Sequence, residues 1–318
     1  MGTGAQRVAD RITLTSGGRL EVKLFAAGEL VKPFDSFDTV ANGDAEMYHA
    51  ADYYWQGKHK GFNFYSAVPL GLTAKELNAW IFFGGGQQLW DELSGQFGVK
   101  CFLAGNSDTQ MGGWFRTPVT SLEDLKGLRI RMPGLGGATI NALGGEAISL
   151  PGGEIVPALQ DGRIDATEWV GPYNDLAFGL QNILKTYMYP GFHEPGTGLA
   201  LGVNKAWYEA LPEHDRLLIA ACAEAENDAM LADFTANNGP SMRELTRDHG
   251  VKITEFPKDV WTEIARTGDQ IVADVAKDDE LGARIFNSYF NFRKSVAGWS
   301  EISDQAFLRA RAAVLAQS

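Results

Sequence analysis

The sequence is poor in cysteine and has no long run of apolar residues. Its 318 residues include only Cys101 and Cys222, too few for a disulfide framework. Apolar neighbours surround each cysteine, which predicts that both are small buried hydrophobic side chains. No apolar stretch approaches the roughly 20 residues that a membrane-spanning helix needs, and MGTGAQRVADRI lacks the apolar core of an export signal. We therefore expect either a cytoplasmic protein or a processed or truncated form of an exported one.

Positive charge is also scarce. The chain has 28 Lys and Arg residues against 40 Asp and Glu residues, with a formal net charge of -12 and a pI near 4.9. This surplus of negative charge argues against nucleic acid and against an anionic membrane surface as partners. Hydrophobic residues make up 45% and charged residues 21% of the chain, which is the balance of an ordinary folded protein.

Motifs of nucleotide binding and of common hydrolases are missing. The glycine-rich segment PGLGGAT fails the G-x-G-x-x-G pattern because residue 139 is threonine, and G-x-x-x-x-G-K-[ST] occurs nowhere. The nucleophile elbow G-x-S-x-G is absent as well. The histidines show no metal-ligand spacing along the chain. They are His49, His59, His193, His214 and His249.

Helical and strand patterns alternate along the chain, which predicts an α/β protein. The length exceeds what one hydrophobic core usually serves, so we expect two domains. The predicted strands span residues 20–25, 101–104, 128–132, 164–169, 199–203 and 251–256. A helix is predicted over 175–184, and a much longer one from Pro212 to about Asn238, where Gly239-Pro240 should end it. No linker divides the chain, which indicates two lobes that exchange segments.

The stretch GLRIRMP, residues 127–133, is the strongest indication of function. Arg131 lies on a predicted strand that ends in a turn rich in proline and glycine, and ligands of open α/β sheets bind beyond such strand ends. An arginine can hold a carboxylate through two parallel N–H···O bonds. Two alternatives stay open: Arg131 is a solvated edge residue, or Arg129 on the same face has the role.

Two acidic residues follow in segments where a cation could be held beside an anion. Glu168, with Trp169, ends a short apolar run in DATEW, and Glu194 lies in GFHEPGTG. A carboxylate at a strand end is often a helix cap or a surface charge, and tryptophan usually belongs to a core. Without a His or Cys cluster, these oxygen donors favour Na⁺, Ca²⁺ or Mg²⁺ over a transition metal. The pattern indicates a receptor for a small organic acid rather than a catalyst.

The sequence resembles the substrate-binding proteins of tripartite ATP-independent periplasmic (TRAP) transporters over essentially its whole length. The segments that carry the resemblance are SLEDLKGLRIRMPG, ALQDGRIDATEW and VNKAWYEALPEHDR. It implies an α/β, two-lobed periplasmic-binding-protein fold (type II-like), with segments exchanged between the lobes and a long connecting helix. We expect one lobe to comprise residues 1–108 and 196–236, without its usual first strand. The other lobe would comprise 109–195 and 237–318, with a C-terminal helical tail.

Within that family the chain is most similar to the receptors of 2-oxoacids and lactate, which bind the acid together with a cation. The resemblance implies that Arg131 pairs with the ligand carboxylate and that Tyr54 contacts the ligand, with Tyr53 as the alternative. Gln110 and Trp169 would belong to the same binding site. The ligand would be a small monocarboxylate, either a 2-oxoacid such as pyruvate or a 2-hydroxyacid such as lactate.

The same resemblance implies a cation, Ca²⁺ or Na⁺, that bridges protein and ligand. Its ligands would be the side-chain oxygen of Gln110, the carboxylates of Glu168 and Glu194, and the backbone carbonyl of Trp169. Two glutamates and a ligand carboxylate bring about three negative charges together, which would repel strongly in a cleft. Arg131 offsets one of these charges, and a divalent cation would offset the other two.

The resemblance also implies a location and partners. The protein would act in the periplasm with the membrane subunits of a TRAP transporter, although the family's export signal and first strand are absent ahead of Gly4. Relatives dimerise through C-terminal helices, so DQAFLRARAAVLAQS could form a homodimer or pack on its own lobe. Two other functions stay open: a metal-assisted 2-oxoacid lyase or aldolase, and a solute sensor without transport. The lyase is disfavoured because no lysine or histidine base is obvious near these motifs.

Overall fold

The chain folds around two β-sheets that it enters alternately. The computed structural model describes residues 1–315. Its strands are β1 (Met47–Ala50), β2 (Val99–Asn106), β3 (Gly113–Phe115), β4 (Arg129–Arg131), β5 (Glu146–Ile148), β6 (Ala166–Thr167), β7 (Thr186–Tyr189), β8 (Gly198–Asn204) and β9 (Lys252–Glu255). Its α-helices are α1 (Gly2–Thr15), α2 (Ser36–Asn42), α3 (Ala74–Phe83), α4 (Gly86–Gly95), α5 (Gly134–Ala142), α6 (Gly152–Gln160), α7 (Pro172–Phe178), α8 (Lys205–Ala210), α9 (Glu213–Arg247), α10 (Lys258–Asp274), α11 (Glu280–Ser300) and α12 (Ala306–Leu315).

Each lobe is built on one sheet. The first sheet has three strands in the order β1-β8-β2, and both pairings are antiparallel. The second sheet has six strands in the order β5-β4-β6-β3-β7-β9. In this sheet β4 lies parallel to β5 and β6, β7 lies parallel to β9, and β3 is antiparallel to its two neighbours. The predicted α/β class is confirmed.

The chain crosses between the sheets three times. Residues 107–112 lead from β2 in the first sheet to β3 in the second, residues 190–197 lead back from β7 to β8, and α9 then carries the chain to β9. The first two crossings lie side by side. The Ser107 N–H donates to the Thr197 carbonyl at 3.1 Å, and the Gln110 N–H donates to the Glu194 carbonyl at 3.1 Å. The chain therefore exchanges segments between the two lobes, as the predicted fold class requires.

Helix α9 extends further than predicted. It runs from Glu213 to Arg247, so the predicted end near Asn238 is wrong. Pro240 lacks the N–H that would continue the hydrogen-bond ladder, but buried Phe234 and Leu245 anchor the helix on both sides of it. Packing thus overrides the local preference for a helix end. None of the helices within residues 1–315, including this one, is both long and apolar enough to cross a membrane.

The predicted strand at residues 20–25 is wrong. These residues pair with no strand within the described part of the chain. They are held instead by the end of α1, where the Val22 N–H donates to Thr13 Oγ1 at 2.9 Å and the Leu20 N–H donates to Ser16 Oγ at 3.1 Å. Alternation of apolar residues predicts which side chains share a face, but a strand also needs a hydrogen-bonding neighbour.

Two other predicted elements are shorter than expected. The helix predicted at 175–184 ends as α7 at Gly179, whose φ of 86° is left-handed, and a 3-10 turn at Leu180–Asn182 follows. The strand predicted at 164–169 forms a ladder only at Ala166–Thr167. Because this strand ends early, the residues that follow it lie outside the hydrogen-bonded ladder and belong to the site described below.

Helix α11 packs against the first lobe. Tyr289 lies edge-on to Trp80 of α3, with ring centroids 5.0 Å apart, and its hydroxyl accepts a hydrogen bond from the Leu72 N–H at 2.6 Å. The predicted division placed all of 237–318 in the second lobe. We propose instead that residues 280–300 belong to the first lobe, because their buried contacts lie in its hydrophobic core.

Asp52 is a buried carboxyl group in the core of the first lobe. It accepts hydrogen bonds from Trp90 Nε1 at 2.8 Å and from the Tyr48 hydroxyl at 3.0 Å. Burial raises the pKa of Asp52 to about 7, and the hydrogen bonds from Trp90 and Tyr48 limit the rise. Asp52 begins a 3-10 turn, Asp52–Trp55, so these bonds also fix the turn that carries Tyr54.

We predict that Asp52→Asn flattens the pH dependence of stability. Between about pH 4 and about pH 7 the folded wild-type protein binds more protons at this carboxyl than the unfolded chain does, so this group makes stability fall as pH rises, by at most about 1.4 kcal/mol per pH unit. Asparagine has the same shape and does not titrate. Urea unfolding of both proteins across this range measures the difference, and parallel curves would contradict the prediction.

Candidate functional site

Buried polar side chains converge where the crossing segments meet the strand ends of the second sheet. We call this set the polar cluster and define it by five residues, each at most 5% exposed: Gln110, Arg131, Glu168, His193 and Glu194. The parallel strands β4 and β6 supply Arg131 and Glu168. The two crossing segments supply the other three. Buried charges are costly unless they are paired, so this concentration indicates a functional site.

Arg131 and Glu168 form a buried ion pair. The register of β4 and β6 places them side by side, with the Glu168 N–H donating to the Arg131 carbonyl at 3.1 Å. Arg131 Nη1 donates to Glu168 Oε1, and Arg131 Nε donates to the Leu150 carbonyl at 3.1 Å. Burial acts to lower the pKa of Arg131, but the negative charge of Glu168 reverses this effect and raises the pKa above its ordinary value. Arg131 is therefore a permanent positive charge.

Arg129, the alternative arginine, lies outside the polar cluster. Its Nε and Nη2 donate to the two carboxylate oxygens of Asp165, each at 2.7 Å, and its side chain is 41% exposed. The surface carboxylate thus occupies the fork of Arg129. Arg131 is the arginine that the structure directs into the interior.

Two aromatic side chains flank the Arg131 guanidinium. The Tyr54 hydroxyl accepts a hydrogen bond from Arg131 Nη2 at 2.8 Å, whereas Tyr53 packs edge-on against Tyr54. The Trp169 ring lies 5.2 Å from Arg131 Cζ and stacks on Phe178. Tyr54 is therefore the tyrosine that reaches the arginine. Because Tyr54 follows β1 and Arg131 ends β4, their hydrogen bond joins the two lobes.

A second buried aspartate holds the segment that follows Trp169. Asp175 in α7 accepts hydrogen bonds from the Val170 N–H at 3.0 Å, from Trp114 Nε1 at 2.8 Å and from the Tyr187 hydroxyl at 2.7 Å. Burial raises the pKa of Asp175 to about 7, and the hydrogen bonds from Trp114 and Tyr187 oppose the rise. These contacts position the Glu168-Trp169 segment beside Arg131.

Gln110 and Glu194 face each other across the two crossing segments. Gln110 Nε2 donates to Glu194 Oε2 at 2.7 Å, and the Thr197 hydroxyl donates to the same carboxylate oxygen. Burial raises the pKa of Glu194 to about 7, and the negative charge of Glu168 adds to the rise. The carboxylate is thus held close to a second negative charge, with hydrogen bonds that compensate only part of the cost.

His193 belongs to the polar cluster, although its sequence context did not indicate it. Its Nε2 lies 3.6 Å from Glu168 Oε2, and the residue is 2% exposed. Histidine spacing could not reveal this residue, because its neighbours in space are glutamates. The available signal was its place next to Glu194 in the segment HEPG. No histidine base was obvious near the site motifs in the sequence, but the structure places His193 beside Glu168.

The polar cluster contains donor atoms that suit a cation. Glu168 Oε2 and Gln110 Oε1 are buried oxygens without a hydrogen-bond partner among residues 1–315, and an unpaired buried acceptor is costly. Carboxylate and amide oxygens are the ligands that hard cations prefer, so Glu168, Glu194 and Gln110 fit such an ion. The contacts of Trp169 described above are those of its ring, and the role of its carbonyl stays a prediction.

Residues 1–279 match the protein family described as bacterial extracellular solute-binding protein, family 7. A monocarboxylate 2-oxoacid-binding periplasmic protein of Nostoc sp. is 37% identical to this chain over 309 residues, which cover 96% of this chain and 83% of the relative. The similarity is therefore not confined to one lobe or to one motif.

Two solved structures resemble the whole fold. A TRAP transporter solute-binding protein from Bordetella bronchiseptica has a TM-score of 0.96 and 32% identity to this chain. The match covers 99% of this chain and 94% of that chain. That protein is a mixed-occupancy dimer in which one active site holds copurified calcium and picolinate and the other is apo. A TRAP periplasmic solute-binding protein from Pseudoalteromonas atlantica, with bound sodium and pyruvate, has a TM-score of 0.93 and 36% identity to this chain. The match covers 96% of this chain and 93% of that chain. These matches confirm the predicted two-lobed fold.

We predict that Arg131→Ala destabilises the protein far more than Arg129→Ala. Removal of Arg131 leaves the Glu168 carboxylate buried without its counter-charge, which costs about 3–5 kcal/mol. Removal of Arg129 breaks a half-exposed pair worth at most about 1 kcal/mol. Urea unfolding of both variants measures the two losses. Equal losses would show that the buried pair has no special role in the fold.

Proposed function

This chain belongs to family 7 of the bacterial extracellular solute-binding proteins and is a solute receptor of the TRAP type, and from this premise we propose that it binds a small monocarboxylate together with Na⁺ or Ca²⁺. The acid would be a 2-oxoacid such as pyruvate or a 2-hydroxyacid such as lactate. The observation that carries the proposal is the convergence of Arg131 with the partner-free oxygens of Glu168 and Gln110 in one buried cluster. The ligands of the Nostoc and Pseudoalteromonas proteins support it.

Arg131 has the donors to hold the carboxylate of the acid. A guanidinium carries five N–H groups, and three of them donate to Leu150, Glu168 and Tyr54. One N–H on each terminal nitrogen therefore stays available, which is the number that a two-point grip on a carboxylate needs. The Tyr54 hydroxyl, fixed by its bond from Arg131, would contact the same ligand.

The cation would be held by the Glu168 and Glu194 carboxylates and the Gln110 amide oxygen, with the Trp169 carbonyl as the fourth predicted ligand. When bound, it supplies the positive charge that the site lacks and attracts the 2-oxo or 2-hydroxy oxygen of the acid. Two glutamates and the acid carry three negative charges and Arg131 carries one positive charge, which leaves two. Ca²⁺ neutralises this remainder, whereas Na⁺ leaves one negative charge for other donors to offset.

Binding would close the two lobes on the acid. Tyr54 approaches from the first lobe and Arg131 from the second, and the crossing segments 107–112 and 190–197 supply the residues between them. A ligand that contacts residues of both lobes favours their closed arrangement, because it loses those contacts when the lobes separate. This arrangement suits a receptor that delivers its ligand to the membrane subunits of a TRAP transporter in the periplasm.

We infer a binding role without turnover, which the receptor family supports, although His193 lies near the site where the sequence did not indicate a base. A metal-assisted lyase or aldolase would consume the 2-oxoacid, and a solute sensor would bind it without transport. Proton NMR of pyruvate incubated with the pure protein tests the first alternative. A lyase or aldolase would reduce the pyruvate signal, whereas a receptor would leave it unchanged. Uptake of the acid by cells that carry the protein with TRAP membrane subunits tests the second alternative. A transport receptor would support uptake, whereas a sensor would not.

The exposed C-terminal segment supports a homodimer. Helix α12 has no buried residue, and a π-helical turn at Glu301–Gln305 joins it to α11. Apolar side chains on this segment are about two-thirds exposed, namely Trp299 (65%), Ile302 (71%), Phe307 (64%) and Val314 (70%). The alternative was that this segment packs on its own lobe. In the structure these side chains stay exposed, so we propose that they pack against a second copy of the chain.

We predict that pyruvate binding depends on the cation. Removal of divalent and sodium ions should weaken binding by at least about tenfold, which corresponds to about 1.4 kcal/mol, because the carboxylates then repel the acid. Titration calorimetry of metal-stripped protein, with and without added Ca²⁺, measures this change. Glu194→Gln should reduce the Ca²⁺ effect, and exposed Glu123→Gln should leave it intact. Unchanged affinity in the metal-stripped wild-type protein would refute the proposed site.

We predict that Ile302→Asp combined with Phe307→Asp converts a dimer into a monomer. Burying two carboxylates in an apolar interface is unfavourable. Leu14→Asp is the matched control, because Leu14 is 81% exposed on α1, a helix that packs against α9. Sedimentation velocity measures the oligomeric state. A wild-type monomer, or a dimer in both variants, would exclude an interface through this segment.

A further inference from the structure

His193 is a buried imidazole that no residue in the described chain satisfies. Its exposure is 2%, and neither Nδ1 nor Nε2 has a hydrogen-bond partner among residues 1–315. Its Nε2 points towards Glu168 Oε2, an oxygen that has no hydrogen-bond partner there either. Buried polar atoms normally have a partner, and these two have none in the described chain.

The separation of these two atoms fits a shared metal ion better than a hydrogen bond. At 3.6 Å, Nε2 and Oε2 are too far apart for a direct hydrogen bond. Neighbouring ligands of one ion, each roughly 2.0–2.5 Å from it, lie roughly 3–3.5 Å apart when they subtend a right angle. One ligand atom each from Glu168, His193 and Glu194 lies within 4.8 Å of the others, which a single ion can span.

The surroundings of His193 hold its ring in this place. A side-chain carbon on Gly136, at the start of α5, would come within 2.7 Å of His193 Cβ, so only glycine lets the histidine pack this closely. The Phe192 ring lies against the imidazole at a centroid distance of 5.3 Å. The imidazole is therefore presented to the carboxylates by packing, without a hydrogen bond to any residue of the described chain.

We propose that His193 is a nitrogen ligand in the cation site and that the site therefore also binds a divalent first-row transition metal such as Co²⁺, Ni²⁺ or Zn²⁺. Imidazole is a good ligand for these borderline metals and a poor one for Na⁺ and Ca²⁺, which select oxygen. Two carboxylates, an amide oxygen and one imidazole form a mixed donor set that accepts both kinds of ion. The inference concerns the cation half of the site proposed above and rests on that proposal only for its location. It adds transition metals to the ions that the sequence led us to expect, Na⁺, Ca²⁺ and Mg²⁺.

Co²⁺ is the probe that tests this inference, because its visible absorption reports its ligands. Metal-stripped full-length protein is titrated with Co²⁺ alone, and the same titration is done on His193→Gln. Glutamine keeps the size and a polar end but offers no imidazole. We expect Co²⁺ affinity to fall at least about tenfold in His193→Gln, with a changed absorption spectrum, and to fall by a larger factor than Ca²⁺ affinity does. His214→Gln, at an exposed position, controls for adventitious binding to surface histidines and should behave as wild type.

Ca²⁺-dependent pyruvate binding, measured on the same samples, separates this inference from the proposed function. A far-ultraviolet circular dichroism spectrum that matches the wild-type protein shows that His193→Gln is folded. If Co²⁺ affinity and spectrum are then unchanged from wild type, His193 is not a ligand and the inference is overturned. If pyruvate binding is lost while Co²⁺ binding is unchanged, His193 contacts the acid instead, and the inference is again overturned. Histidine-dependent Co²⁺ binding in a protein that binds no pyruvate would sustain the metal site and refute pyruvate as the proposed ligand.

Discussion

The burial of the Arg131–Glu168 ion pair is the constraint on which the rest of the site depends. Both side chains are almost completely inaccessible to solvent, so each needs the other. The pair uses one oxygen of Glu168 and leaves the other without a hydrogen-bond partner within residues 1–315. Glu194 adds a second buried carboxylate nearby, and burial raises its pKa to about 7. The protein therefore maintains a region of excess negative charge that a cation relieves, beside an arginine that keeps donors for an anion.

The topology explains how such a region can be built at all. Buried charges need partners from several directions, and a single hairpin cannot supply them. Here the chain passes between the two sheets three times. The crossings 107–112 and 190–197 bring Gln110 and Glu194 together, and the parallel strands β4 and β6 end beside them with Arg131 and Glu168. Asp175 positions the Glu168-Trp169 segment on one side of this arrangement, and the turn that begins at Asp52 positions Tyr54 on the other side.

Much of this could be predicted from the sequence, because the relevant residues lie at the ends of visible apolar runs. Arg131 and Glu168 each lie near the end of a predicted strand, which indicated a binding site there, whereas the roles of Tyr54 and Gln110 were implied only by the family resemblance. Predictions failed where the decisive contact is distant in the sequence. The run at 20–25 has the pattern of a strand but no neighbouring strand in the described chain, and Pro240 remains inside α9 because flanking side chains are buried. His193 was missed because an imidazole among glutamates has no recognisable spacing of its own.

A crystal structure of the protein with Ca²⁺ and pyruvate tests the account most directly. It should show the pyruvate carboxylate on the Arg131 guanidinium and one metal ion in contact with both glutamate carboxylates and with the keto oxygen of pyruvate. Pyruvate bound away from Arg131, or an organic acid in the cleft with no ion between Glu168 and Glu194, would contradict it.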